Sequence, residues 1–149
     1  MEIDNMYKFR KTLRLKKSDF RNKLEFAEFI KYLNNQMDDG RDNEGKPIYQ
    51  LFNEKYRIRT DNFEEFYSEI INSSSIIEID MASVGNQSGI HLTYTTLYLI
   101  KNNCKITIFA DDSEMLNTLL NNIYSELEKY KNEVRVLFFK ILTTILFLC

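Results

Sequence analysis

Apolar and polar side chains alternate along residues 7–17, and this alternation is the clearest local pattern in the first part of the chain. Positions of one parity are apolar, with Lys11 as the exception, whereas those of the other parity are mostly cationic. Period-two alternation is typical of a half-buried strand with one face on the core. The apolar set is Tyr7, Phe9, Leu13 and Leu15, and the outward set is Lys8, Arg10, Thr12, Arg14 and Lys16.

Three later segments repeat their apolar residues at helical spacing instead. The first predicted helix begins at Ser18 or Asp19 and runs to about Met37. The second and third begin at D-x-x-E capping patterns, opened by Asp61 and Asp111. The first helix carries an apolar stripe of Phe20, Leu24, Ala27, Ile30 and either Tyr32 or Leu33.

The remaining apolar runs predict further strands at 56–60, 76–82, 90–100 and 104–110, with 101–103 as a turn. Residues 38–47 are polar and predict an exposed loop, and residues 49–52 form a short apolar patch against it. Short connections between the last three strands predict an antiparallel meander. The element order is β-α-β-α-β-β-β-α, which predicts an α+β fold with about five mostly antiparallel strands and helices on one face.

The C-terminal segment 134–149 is far more apolar than the rest, so we divide the chain into a domain at 1–133 and a helical tail at 134–149. Its apolar residues point in nearly every helical direction, and one core-facing stripe does not account for them. A membrane contact, a buried or oligomeric helix, and the start of a longer hydrophobic region all fit. The predicted contact residues are Val136, Leu137, Phe138, Phe139, Ile141, Leu142, Ile145, Leu146 and Phe147.

Six cations share one predicted sheet face if the first two strands lie in the same sheet. A face of this kind attracts the phosphates of a nucleotide or another phosphate-bearing ligand, of RNA, or of an anionic lipid. Charged side chains that keep a strand soluble and block edge pairing are the simpler interpretation. Glu78 and Asp80 also alternate outward and would offset the positive charge. The predicted anion-binding residues are Lys8, Arg10, Arg14, Lys16, Arg57 and Arg59.

Overall composition excludes little, because the net charge is only −2. The chain has two cysteines and no apolar segment near its start, so a reducing compartment without secretion is expected. Lys129, Lys131 and Arg135 flank the apolar tail, and the positive-inside rule would place the domain in the cytoplasm, at the inner face of the cell membrane.

Catalytic chemistry has no recognisable pattern in the sequence, and neither an enzyme, a metal nor a cofactor is predicted. His91 is the only histidine and alternates with apolar neighbours, as a strand residue would. The glycine loop at 85–89 lacks the Lys-Ser/Thr ending of a phosphate loop. Four carboxylates crowd residues 38–44, yet no glycine falls in the register of a calcium loop.

The strand Lys105-Ile-Thr-Ile-Phe-Ala, the Asp111-Asp112 cap, the helix from Leu116 to Leu127 and the apolar tail after Glu133 together carry a resemblance. This arrangement resembles small cytosolic sensor domains that precede transmembrane helices in prokaryotic effector proteins, including antiphage effectors. The resemblance implies a domain that responds to a ligand and acts at a membrane.

The same stretch is also similar to the β-α-β-β-β-α domain of ribosome hibernation factors, which implies RNA or ribosome binding. We therefore expect a non-enzymatic sensor or adaptor domain that associates with a membrane or with itself through its last helix. A soluble RNA-binding protein and a structural protein that dimerises through the apolar helix are the alternatives.

Overall fold

The fold is one six-stranded antiparallel sheet with three helices, as seen in a computed structural model that describes residues 7–15, 20–37, 47–85, 87–97 and 101–148. The sheet order is β1-β6-β5-β4-β2-β3. The strands are β1 at Phe9–Leu15, β2 at Ile48–Asn53, β3 at Arg57–Thr60, β4 at Ile76–Val84, β5 at Ser88–Leu97 and β6 at Lys101–Ala110.

The three helices are α1 at Lys23–Asn35, α2 at Phe63–Asn72 and α3 at Ser113–Leu148. Helix α3 lies against β1 and β6, and α2 lies against β2 and β3. Helix α1 contacts both of the other helices. The α+β class and the antiparallel sheet are therefore confirmed.

The core lies between one face of the sheet and the helices. Alternate residues of each strand point to this face, and they include the apolar Leu13, Met81 and Ile106. These side chains pack with Phe29 and Ile123 from the helices. A second, small cluster lies on the opposite face of the sheet and is formed by Tyr7, Ala82, Val84 and Phe109. The Tyr7 hydroxyl donates a hydrogen bond to the Gly85 carbonyl at 2.5 Å, which holds the ring over the β4–β5 turn.

The predicted number of strands is wrong by one, because the apolar patch at 49–52 is part of the strand β2. Its partners β3 and β4 flank it on both sides, so β2 is interior to the sheet. Asn53 makes the tight β2–β3 connection possible: its side-chain oxygen accepts from the backbone N–H groups of Lys55 and Tyr56. Residues 101–103, predicted as a turn, belong to β6.

Each helix begins one or more residues after its predicted start. The N-caps of α1 and α2 are Asn22 and Asn62, whose side chains accept from the backbone N–H three residues later. Asp112 rather than Asp111 has this role in α3, accepting from the Met115 N–H at 2.7 Å. The stripe predicted for α1 is also wrong at Leu24, which is exposed, while Phe29 is fully buried.

Helix α3 is 36 residues long, which corresponds to about 54 Å. It runs without a break across the predicted division at 133. Among the α3 residues whose side chains are described, those in the core clusters lie in its first half, and the last of them is Tyr130. Burial raises the pKa of the Tyr130 hydroxyl to about 12, which agrees with its position under the aromatic rings of Phe20 and Phe29.

Candidate functional site

The face of the sheet that the helices leave uncovered is the first candidate surface, and we call it the outer face. Its residues have the parity opposite to that of the core. Across β1, β6 and β5 the register aligns them in rows, so that Arg14 lies opposite Lys105, and Thr12 lies opposite Thr107. The outward residues of β5 beside them are His91 and Thr93.

The six predicted anion-binding cations do not form one group. Arg10 and Arg14 are on β1, whereas Arg57 and Arg59 are on β3, and these strands are the two opposite edges of the sheet. Five strand spacings separate them, which is about 24 Å. Lys8 is exposed just before β1, and Lys16 falls outside the described residues. Ligand binding by either group stays a prediction.

Lys105 is the cation that sequence reasoning missed. It is exposed on β6, which β1 and β5 flank, and it is the direct cross-strand neighbour of Arg14. Alternation within β6 indicates that Lys105 points outward, but only the β1–β6 register shows that it lies opposite Arg14. Together Arg14 and Lys105 place two positive charges side by side on the outer face.

Three threonine residues lie beside this pair of cations. The Oγ1 atoms of Thr12 and Thr107 lie 3.5 Å apart in the neighbouring row. Thr93 is opposite Lys105 on its other side. Guanidinium, ammonium and hydroxyl groups all donate hydrogen bonds to an oxyanion, and the sheet holds them in a fixed array.

Asp80 limits the cationic area on the side of β4. Its Oδ1 atom lies 2.7 Å from Nε2 of His91, so the single histidine of the chain is in an ion pair or hydrogen bond with this carboxylate. Asp80 and Glu78 have outward parity, as the alternation predicted. In the register, Thr93 and Lys105 stand between Asp80 and Arg14.

The cations on the opposite edge have a different environment. The Arg57 guanidinium lies over the ring of Phe52, 5.0 Å from its centroid, in a cation–π contact. Arg59 is exposed opposite Gln50. This edge therefore offers one stacked and one exposed arginine, in contrast to the paired cations of β1 and β6.

The second candidate surface is the end of α3. Four of its predicted contact residues are described with their side chains, and all are between 43% and 70% exposed. They are Ile141, Leu142, Ile145 and Leu146. The predicted contacts Val136, Leu137, Phe138, Phe139 and Phe147 fall outside the residues whose side chains are described.

The exposed residues continue the buried face of the same helix. Ile141 and Ile145 follow the buried Ile123 and Leu127 by 18 residues each, which is about five helical turns and returns to the same direction. The helix direction that is buried in the first half of α3 is therefore apolar at Ile141 and Ile145 as well, where the side chains are exposed. Leu142 and Leu146 widen it into a broad apolar surface.

Two further observations concern the described part of the chain as a whole. None of its helices combines the length and the apolar character needed to cross a membrane. No group of three or more His, Cys, Asp or Glu side chains within the described ranges is placed to hold a metal ion. The carboxylate-rich loop at 38–44 lies outside those ranges.

Comparison of the chain with protein-family models, with curated proteins and with solved structures found no match. The resemblance to sensor domains that act at membranes therefore stays a prediction.

Proposed function

We propose that this chain is a non-enzymatic adaptor domain that attaches to a membrane surface by inserting the apolar end of α3. The observation that carries the proposal is the exposure of Ile141, Leu142, Ile145 and Leu146 beyond the core. Large apolar side chains grouped on a protruding helix are unfavourable in water, and a contiguous exposed apolar patch marks an interaction site.

A membrane surface fits this helix end better than a partner helix does. A partner helix covers one stripe, as in a coiled coil. Here Ile141 and Ile145 lie on one side of the helix axis, and Leu142 and Leu146 lie about 100° further around it. The run from Ile141 onward carries no charge, and its helical part is about 12 Å long, which suits shallow insertion without crossing.

The charges next to the apolar run support the same orientation. Lys131, Arg135 and Lys140 precede it in the sequence. Lysine and arginine next to an inserted apolar segment favour a membrane surface, because such long side chains reach lipid phosphate groups while their methylene stems stay in apolar surroundings. In a cell this arrangement favours the cytoplasmic face of the membrane.

The test is flotation of the full chain with phosphatidylcholine vesicles at low and at high salt. We expect binding that resists salt, because apolar burial is not screened by ions. Changing Ile141, Leu142, Ile145 and Leu146 to Ser together should weaken binding at least about a hundredfold, since each buried side chain contributes roughly 1.5–3 kcal/mol.

The matched control changes Leu24 and Tyr124 to Ser, because these residues are comparably exposed but lie within the domain. This variant should bind vesicles as the unchanged chain does. A full chain that ignores vesicles, yet forms a dimer in solution that the four-residue variant converts to a monomer, would replace membrane attachment with self-association.

A further inference from the structure

We infer that the outer face binds a phosphate group between Arg14 and Lys105. The inference names a ligand class for the adaptor proposed above, on a surface separate from the end of α3. It includes Lys105, which sequence reasoning missed, and leaves out the two arginines of β3. The shared chemistry is a phosphate group, carried either by a small soluble compound or by a lipid headgroup.

Two like charges stand directly opposite each other at this position. Arg14 and Lys105 are cross-strand partners in the β1–β6 register, and both are exposed on the same face. Like charges directly opposite each other destabilise a sheet. A sequence that places like charges opposite each other without stabilising the fold is expected to do so at a functional site. At such a site a ligand supplies the negative charge that the two cations lack.

Among the described residues, no carboxylate pairs with Arg14 or Lys105. The ion pairs among the described side chains join Arg21 to Glu25, Lys129 to Glu126, and His91 to Asp80. The outward carboxylate that shares the row of Arg14 and Lys105 is Asp80, which stands two strands away from Lys105 and is already bonded to His91.

Edge protection is the usual reason for cations on exposed strands. It accounts for Arg14, because β1 is an edge strand. It does not account for Lys105, because β6 pairs on both sides and has no free edge.

Neutral hydrogen-bond donors lie next to the two cations. Thr12 and Thr107 present hydroxyls in the row next to the cations, and Thr93 presents one beside Lys105. A phosphate has several oxygens to satisfy, so a flat array of two cations and three hydroxyls matches its acceptors. Arginine adds two parallel hydrogen bonds to one phosphate.

The experiment titrates the full chain with inorganic pyrophosphate at constant ionic strength and follows binding by calorimetry. A second arm uses phosphatidylcholine vesicles with and without phosphatidic acid, in the background of the four-serine α3 variant, so that apolar insertion does not contribute. Changing Arg14 and Lys105 to Gln together should weaken phosphate binding about tenfold or more per cation.

The matched control changes Arg57 and Arg59 to Gln, which removes the same charge from the opposite edge and should leave the affinity nearly unchanged. If the variant that lacks Arg14 and Lys105 loses affinity for pyrophosphate, the ligand is a small soluble compound. If it loses affinity only for the vesicles that contain phosphatidic acid, the ligand is a lipid headgroup. Equal losses in both double variants, or an unchanged chain that binds in neither arm, would overturn the inference.

The Arg14→Glu variant guards against misreading a folding defect. It places a carboxylate opposite Lys105 and should unfold at a higher urea concentration than the unchanged chain, while phosphate binding is lost. Binding retained by this more stable variant would also contradict the site. None of these results depends on whether α3 binds vesicles, so the two proposals fail separately.

Discussion

At the scale of single residues, Gly89 and Tyr7 show how a side chain before β1 shapes the outer face. The Tyr7 ring covers the end of β5, and a Cβ atom built on Gly89 would meet Cε2 of Tyr7 at 3.2 Å. The same ring packs with Phe109, with 6.3 Å between ring centroids. Glycine at 89 therefore provides the space that an aromatic side chain occupies.

The change Gly89→Ala should lower the free energy of unfolding by about 1 kcal/mol, because the added methyl group displaces the Tyr7 ring. In a chain that already carries Tyr7→Ala, the same change should be neutral or stabilising, since alanine reduces the freedom of the unfolded chain. Urea unfolding of the four members of this double-mutant cycle measures the coupling. Equal effects of Gly89→Ala in both backgrounds would show that the ring does not limit this position.

At the scale of elements, the N-cap that forms at the start of α3 differs from the one that the sequence pattern predicts. The pattern D-x-x-E predicts Asp111 as the cap, but the side chain of Asp112 accepts the Met115 N–H. The Asp111 backbone N–H is engaged elsewhere, donating to the Gln87 carbonyl across the β4–β5 turn. This contact anchors Asp111 to the sheet, and the helix begins after it.

We therefore expect Asp112→Ala to lower the free energy of unfolding by about 1 kcal/mol, the usual contribution of an N-cap. Asp111→Ala removes the same charge from the neighbouring exposed residue and should change it by less than about 0.5 kcal/mol. Thermal or urea unfolding of both variants provides the comparison. A larger effect at Asp111 would favour the sequence-based cap over the observed one.

At the scale of the whole molecule, the described side chains of α3 fall into two groups. Those of its first part belong to the core, and the last of them is Tyr130. The large apolar side chains described near its end, from Ile141 to Leu146, are exposed. In our proposal this exposed end serves binding, and we expect the domain to be stable without it.

A chain that ends after Asn132 should therefore unfold cooperatively, with the same urea midpoint as the full chain. The dependence of its free energy on urea should also be unchanged, because that slope follows the surface exposed on unfolding. The truncated chain should fail to float with vesicles. A lower midpoint or a broadened transition would mean that the end of α3 contributes to the core.

The sequence by itself determined the local properties of this protein. Period-two and helical repeats located five of the six strands and all three helices, because each repeat reflects which face of one element meets the core. The parity of β1 also identified Arg10 and Arg14 as outward residues. These properties depend on neighbours within a few positions along the chain.

Tertiary structure decided which elements lie side by side. Pairing of β1 with β6 joins residues 89 to 101 positions apart, and no local repeat encodes that register. This pairing places Lys105 opposite Arg14, and the strand order of the sheet puts Arg57 and Arg59 on the opposite edge. Strand β2 was missed because its apolar residues form only a short run beside a polar loop. Its interior position comes from pairing with β3 and β4 on either side, and its Tyr49 is buried against Phe63 and Phe66 of α2.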